Sequence, residues 1–331
     1  MSKEKVISIA AVMEKSGVNF GTSGVRGRVV ALSDEVCWAY AVGFIQYLQE
    51  TEQLELGATV GIAGDYRTST DRMMGVLSQA IVDQGFEAVN LGKIPSPALA
   101  LYGLKHNMPT MMVTGSHIPE DHNGIKFNTA LGEILKPDEQ GIRAQVITIP
   151  AGKFTPGGAL VREPSLPPID GSAKAEYVKR YLNFFPKSAL QGLSIGLYEH
   201  SSVSRESLYE ILTGLGARVM LLGRTDAFIS VDTEAIRSED VALAAQWSKE
   251  HGFDCIISTD GDGDRPLISD EKGVWLRGDV AGILCAQYLA ADAVITPVNC
   301  NSALELSQWF NYTQRTQIGS PFVIAGMLDA E

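Results

Sequence analysis

SDEVCWAYAVGFIQYL, residues 33 to 48, opens with a hydroxyl and two acids and then sets apolar residues at helical spacing, which predicts a helix capped by Ser33. Working outward, Thr59 to Ala63 (TVGIA) is a short apolar run that reads as a strand. Thr70 to Asp83 reads as a second helix stopped by Gly85, and Phe86 to Leu91 as another strand. The order is helix, strand, helix, strand.

The same order returns at Ala173 to Phe185, Leu193 to Leu197, Arg205 to Leu212 and Ala217 to Leu222, with Gly214 and Gly216 closing the second helix. It returns again at Asp279 to Leu289, Asp292 to Val298, Ser302 to Phe310 and Tyr312 to Ile318. Coincidence among ordinary α/β segments is the alternative; three similar units in series is the simpler reading. Strands alternating with helices favour mixed or parallel sheets covered on their faces. The predicted fold class is therefore α/β, as serial α/β domains each with a mixed sheet covered by helices. Residues 152–170 hold Pro156, Pro164, Pro167 and Pro168, which suits an extended connection. The predicted domains are residues 1–163, 164–268 and 269–331, with the second boundary near Ile268 to Gly273.

Hydrophobic residues make up 45% and charged residues 20% of the 331, enough apolar content for substantial cores. A net charge of -12 opposes broad attraction to nucleic acid or an anionic membrane, so an anionic ligand must be small and locally bound. Cys37, Cys255, Cys285 and Cys300 form no C-x-x-C pair and point to a reducing cytoplasm. No apolar run approaches the roughly 20 residues of a spanning helix. No heptad or apolar interface pattern fixes an oligomeric state.

Three loops carry candidate chemistry. Asp260-Gly261-Asp262-Gly263-Asp264-Arg265 lies between two apolar runs, and three carboxylates at every second residue suit one hard cation, Mg²⁺ being the economical choice. A calcium loop with Glu271 at its twelfth position is excluded by Arg265, which stands where such a loop needs glycine. A phosphatase of the haloacid dehalogenase type, with Asp260 as nucleophile, remains the enzyme alternative. Thr114-Gly115-Ser116-His117-Ile118-Pro119 follows a strand from Met111, which leaves Ser116 at a strand tip. It is not G-x-S-x-G, and a neighbouring His117 seldom reaches its serine as an oriented base. Lys126 is the better proton carrier: past an Asn123-Gly124 turn it folds back over Ser116, with neighbouring cations expected to lower its pKa. Phe20 to Arg28 is a glycine-rich loop bearing Thr22, Ser23, Arg26 and Arg28, able to present N–H groups and an arginine fork to phosphate.

Together and in this order, Phe20 to Gly27, Thr114 to Lys126 and Asp260 to Arg265 resemble the α-D-phosphohexomutase family of phosphomannomutases and phosphoglucomutases. A fourth likeness runs from Gly278-Asp279 through Arg315 to Met327, including Ile318 to Ile324. The resemblance implies that Ser116 is carried as phosphoserine and that Mg²⁺ touches its phosphate with Asp260, Asp262 and Asp264. It makes Lys126 the general acid/base, sets Arg26 and Arg265 to steady charge, and lines the site with Thr22, Ser23 and His117. The implied substrate is a small hexose phosphate, with mannose favoured over glucose or glucosamine, interconverted between its 1- and 6-phosphates through a bisphosphate. A non-catalytic phosphosugar-binding remnant is the other alternative. Gly115 and Ile118 depart from the commonest T-A-S-H-N-P form, which bears on loop shape. Glu331 precedes the family's E-x-S-G-H-type sugar loop and its fourth, phosphate-binding domain. The expectation is thus a truncated, poorly active mutase with an incomplete third domain.

Overall fold

A computed structural model describes residues 4–22 and 24–331. The predicted capping at Ser33 is present: its side chain accepts the N–H of Val36 at the head of the helix Asp34–Glu50. The second predicted helix, Thr70–Asp83, packs beside it. Both cover one face of a mixed seven-stranded sheet ordered Asn19–Phe20, Gly24–Arg28, His122–Thr129, Thr110–Val113, Thr59–Gly64, Glu87–Lys93, with Gly132–Glu133 beside His122–Thr129. Neighbouring residues on a strand serve opposite faces. Ile62 and Met111 join the core under Trp38, Phe44 and Met73, whereas Ala63 and Met112 join a second cluster with Leu99 on the helix Ser96–His106.

The second sheet is ordered Arg218–Leu222, Ser194–Tyr198, Cys255–Thr259, Pro266–Ile268, parallel except for its last strand. The third is the parallel pair Ala293–Pro297 and Tyr312–Thr316. Each helix–strand–helix–strand unit read from the sequence therefore yields one parallel pair: Thr59–Gly64 with Glu87–Lys93, Ser194–Tyr198 with Arg218–Leu222, and the third sheet itself. The helix expected over Ser302 to Phe310 is shorter, Ala303–Leu306, because the chain turns left-handed at Gln308 (φ 56°). The helices Ile9–Ser16, Ser96–His106, Lys136–Ala144 and Ser238–His251 were not anticipated. The proline-rich connection runs along the first unit, where Asn90 Nδ2 donates to Pro167 O (2.8 Å) and Asp170 N–H to Asn90 O (2.8 Å). No helix among the described residues is long and apolar enough to cross a membrane.

Asn123-Gly124 is not a turn. Both residues lie inside the strand His122–Thr129, whose partner Gly24–Arg28 sets Gly24 opposite Lys126 and Arg26 opposite Gly124. Glycine is needed there for closeness rather than for a bend: a Cβ on Gly124 would fall 2.4 Å from Val25 O, and one on Gly24 would fall 2.1 Å from Ile125 O. Backbone cannot give way as a side-chain tip can. Gly124→Ala is expected to cost about 1–3 kcal/mol, read as a thermal midpoint lowered by about 2–4 °C per kcal/mol.

Candidate active site

The strand Thr110–Val113 delivers Ser116 into a loop that folds back on itself. Thr114 Oγ1 accepts the N–H of Ser116 at 2.7 Å and donates to Asp65 Oδ2 at 2.8 Å. Ser116 has φ 53°, a left-handed conformation that costs a non-glycine residue roughly 1–2 kcal/mol. It is 1% exposed, and its Oγ donates to Asp260 Oδ2 at 2.6 Å. Two loops 144 residues apart in sequence thus meet atom to atom.

The acidic loop joins the antiparallel strands Cys255–Thr259 and Pro266–Ile268, as its flanking apolar runs imply. Asp260 Oδ1 accepts the N–H groups of Gly263 (3.1 Å) and Arg265 (3.3 Å), so the loop curls around its own first carboxylate. Asp262 Oδ2 receives Ser96 Oγ and Lys126 Nζ, each at 2.7 Å. Asp264 Oδ2 receives Lys126 Nζ from the other side. One oxygen from each of Asp260, Asp262 and Asp264 lies within 4.8 Å of the others.

Asp262 Oδ1 decides whether this cluster fits a cation. It is buried and has no hydrogen-bond partner among the described residues, although an unpaired buried carboxylate oxygen is costly. An all-oxygen donor set is what a hard divalent ion takes. The residues fit a metal.

Electrostatics agree. Burial, then the charges of Asp262 and Asp264, push the Asp260 pKa well above the carboxylate range, opposed by the bond from Ser116. Burial would raise Asp262 too, yet the Lys126 charge and the bonds from Lys126 and Ser96 hold it below that range. For Lys126, burial disfavours the ammonium but Asp262 and Asp264 outweigh it, so its pKa lies above the ordinary lysine value. The neighbours that set this direction are carboxylates rather than the expected cations, and Lys126 is held protonated.

His117 Nδ1 is 2.9 Å from Arg265 Nη1 and 3.4 Å from Ser116 Oγ. Burial and the Arg265 charge lower the His117 pKa, so the ring is neutral at pH 7 and its Nδ1 lone pair takes the arginine N–H. It is not the serine's base, because Ser116 donates to Asp260. Arg26, in the strand Gly24–Arg28, lies over Gly124 and near enough to His117 to help lower its pKa. Thr22 faces Gly319, where a Cβ would come 3.4 Å from its methyl. Ser23 lies outside the described residues.

Ser96 and Asp65 were missed. Ser96 heads an unanticipated helix, and its only signal is a serine between two prolines. Asp65 sits just beyond the C-terminal end of the parallel strand Thr59–Gly64, a position where α/β sheets place ligand-facing groups, and that signal could have been read. Glu133 was missed as well. It accepts Ser320 Oγ at 2.6 Å, and burial raises its pKa.

Against known proteins, residues 17–152 match phosphoglucomutase/phosphomannomutase alpha/beta/alpha domain I, and residues 175–273 match domain II of the same family. The chain is 43% identical over 314 residues to a phosphomannomutase of Salmonella muenchen, covering 95% of this chain and 63% of that protein. It is 43% identical over 316 residues to one of Sinorhizobium fredii, covering 95% and 65%. The chain thus spans slightly less than two thirds of these two relatives. A phosphoglucosamine mutase of Clostridium beijerinckii is 30% identical over 324 residues, with 94% and 70% covered. Among solved structures, a phosphoglucomutase/phosphomannomutase family protein of Burkholderia thailandensis superposes with a TM-score of 0.73 at 19% identity, covering 98% of this chain and 69% of that one. The Paramecium phosphoprotein parafusin in its open form gives 0.72 at 16%, covering 99% and 66%. These structures share the fold, and their identity is too low to argue more.

Proposed function

The chain belongs to the α-D-phosphohexomutase family, and from that premise we propose that it is the catalytic portion of a phosphohexomutase interconverting hexose 1-phosphate and hexose 6-phosphate. The observation that carries this reading is the 2.6 Å bond between Ser116 Oγ and Asp260 Oδ2. A hydroxyl able to accept a phosphoryl group meets, at a buried point, the first carboxylate of a triad suited to a divalent cation. Mannose phosphate is the favoured substrate, because the two relatives at 43% identity are named phosphomannomutases while the phosphoglucosamine mutase stands at 30%. A cytoplasmic location is part of this reading, supported by the four free cysteines, which a reducing compartment would keep so.

In the proposed cycle a phosphoserine at Ser116 loses its phosphoryl group to a sugar hydroxyl. The serine's P–O bond breaks, a P–O bond to the sugar forms, and a hexose bisphosphate results. The bisphosphate turns over in the cleft and returns its other phosphoryl group to Ser116. Protonated Lys126 is the acid that supplies the departing Ser116 Oγ while the attacking sugar hydroxyl gives its proton to solvent; in the return step Lys126 takes the serine proton back and solvent reprotonates the departing sugar oxygen. Neutral His117 is held by Arg265, and Arg265 and Arg26 bring positive charge to the phosphoryl oxygens. Thr22 would line the same cleft. Mg²⁺, held by Asp260, Asp262, Asp264 and the Ser116 phosphate, would supply charge neutralisation at those oxygens.

Mass spectrometry tests this. Incubation with a hexose 1,6-bisphosphate is expected to leave one phosphoryl group on Ser116, removed by hexose 6-phosphate. An aspartyl phosphate on Asp260 would replace the mutase reading with the phosphatase, and a stable adduct on another residue would overturn Ser116 as the carrier.

A further inference from the structure

Arg67 is a buried cation to which the chemistry above gives no task. Its guanidinium forks onto four carbonyls of one loop: Nη1 donates to Pro119 O (2.8 Å) and His122 O (3.0 Å), and Nη2 to Ser116 O (2.9 Å) and Ile118 O (2.5 Å). Nε reaches Asp65 Oδ2 at 3.2 Å, the oxygen that also holds Thr114 and through it the N–H of Ser116. All five N–H donors are therefore met, which is the condition for burying an arginine at 2% exposure. Gly115 leaves the space: a Cβ there would sit 2.7 Å from Arg67 Cζ.

The unit that carries the aspartates covers the guanidinium. The Phe228 ring lies 4.1 Å from Arg67 Cζ. The preceding residue reciprocates, with Arg205 Cζ 4.3 Å above the Tyr66 ring. Arg205 is fixed by His200 O (3.2 Å) and Thr225 O (3.1 Å). Adjacent residues thus exchange one cation–π contact in each direction across the junction. Phe228 also abuts Gly261 inside the acidic loop, where a Cβ would come 3.1 Å from its ring, and Ser230 Oγ donates to His117 O.

We propose that this double cation–π latch is a positioning device: Arg67 shapes the Ser116 loop, and Phe228 with the Tyr66–Arg205 pair sets that loop's register on the acidic loop. A lysine at 67 keeps the charge but has no planar fork to span four carbonyls. The catalytic consequence rests on Ser116 being the phosphoryl carrier; the structural half does not.

Arg67→Lys and Phe228→Leu in the full chain test the latch with two readouts. Hydrogen exchange of amides 115–122 is expected to quicken about tenfold in Phe228→Leu, and further in Arg67→Lys, with amides of the helix Asp34–Glu50 unchanged. Phosphoryl uptake by Ser116 from a hexose 1,6-bisphosphate is expected to slow about 100-fold in Arg67→Lys, the cost of a displacement near 1 Å. Mn²⁺ affinity is expected to stay the same, which a general loss of structure would not allow. Unchanged loop exchange in the folded variants overturns the latch. Should Arg67→Lys fail to fold, Phe228→Leu decides alone, since that ring is only half-buried. Should the unaltered chain take up no phosphoryl group, the carrier reading fails and loop exchange still decides the latch.

Discussion

Ser116→Ala is expected to lower phosphoryl transfer by at least about 10⁴-fold while the chain stays folded. The hydroxyl is the only group of that residue placed to take the phosphoryl group, and its removal leaves Asp260 with its two loop N–H bonds on Oδ1. Losing the bond to the buried Oδ2 costs about 1–3 kcal/mol, visible in a melt but short of unfolding. The left-handed backbone at Ser116 adds a second comparison, because alanine keeps the strain of φ 53° and glycine does not. Ser116→Gly is therefore expected to be equally inactive yet more stable than Ser116→Ala by about 1 kcal/mol. Intact-mass measurement of phosphoryl uptake and thermal melts of both variants check this. Persistent uptake in the alanine variant would move the carrier elsewhere.

Local signals in this chain were legible, and long-range partners were not. The helix Thr70–Asp83 begins and ends where its spacing and Gly85 say, and the acidic loop sits between strands as Cys255-Ile256-Ile257 implies. Sequence spacing also put Ser116 at a strand tip. It could not show that the partners of Lys126 are two aspartates 136 and 138 residues away, which reverses the expected pKa direction. Asn123-Gly124 misled for a related reason: a glycine demanded by a neighbouring strand looks the same as one demanded by a turn. Gly115, read as a departure of loop shape, marks the space taken by Arg67, a residue that no periodicity singles out.

Metal affinity is expected to rise with pH, and the two pKa directions in the triad say over which range. Asp262 is held below the carboxylate range, so it is ionised throughout and its stabilising contribution is lost only on strong acidification. Asp260 is pushed above that range, first by burial and then by its neighbours, so the metal-free folded chain binds a proton there that the unfolded chain releases. Between the ordinary aspartate value and the raised one, the folded state holds more protons, and stability falls as pH rises through that window. A divalent ion needs the ionised carboxylate and displaces the proton. Its affinity therefore gains up to about tenfold per pH unit across the same window, and levels off above it. At 100 times its dissociation constant the ion adds about 2.7 kcal/mol, so the gap between melts in Mg²⁺ and in chelator should widen with pH. Calorimetry in two buffers of different ionisation enthalpy is expected to find up to one proton released per ion, and none in Asp260→Asn, which binds more weakly. A pH-independent affinity with no proton released would mean that the ion sits elsewhere and that Asp262 Oδ1 faces something other than a metal.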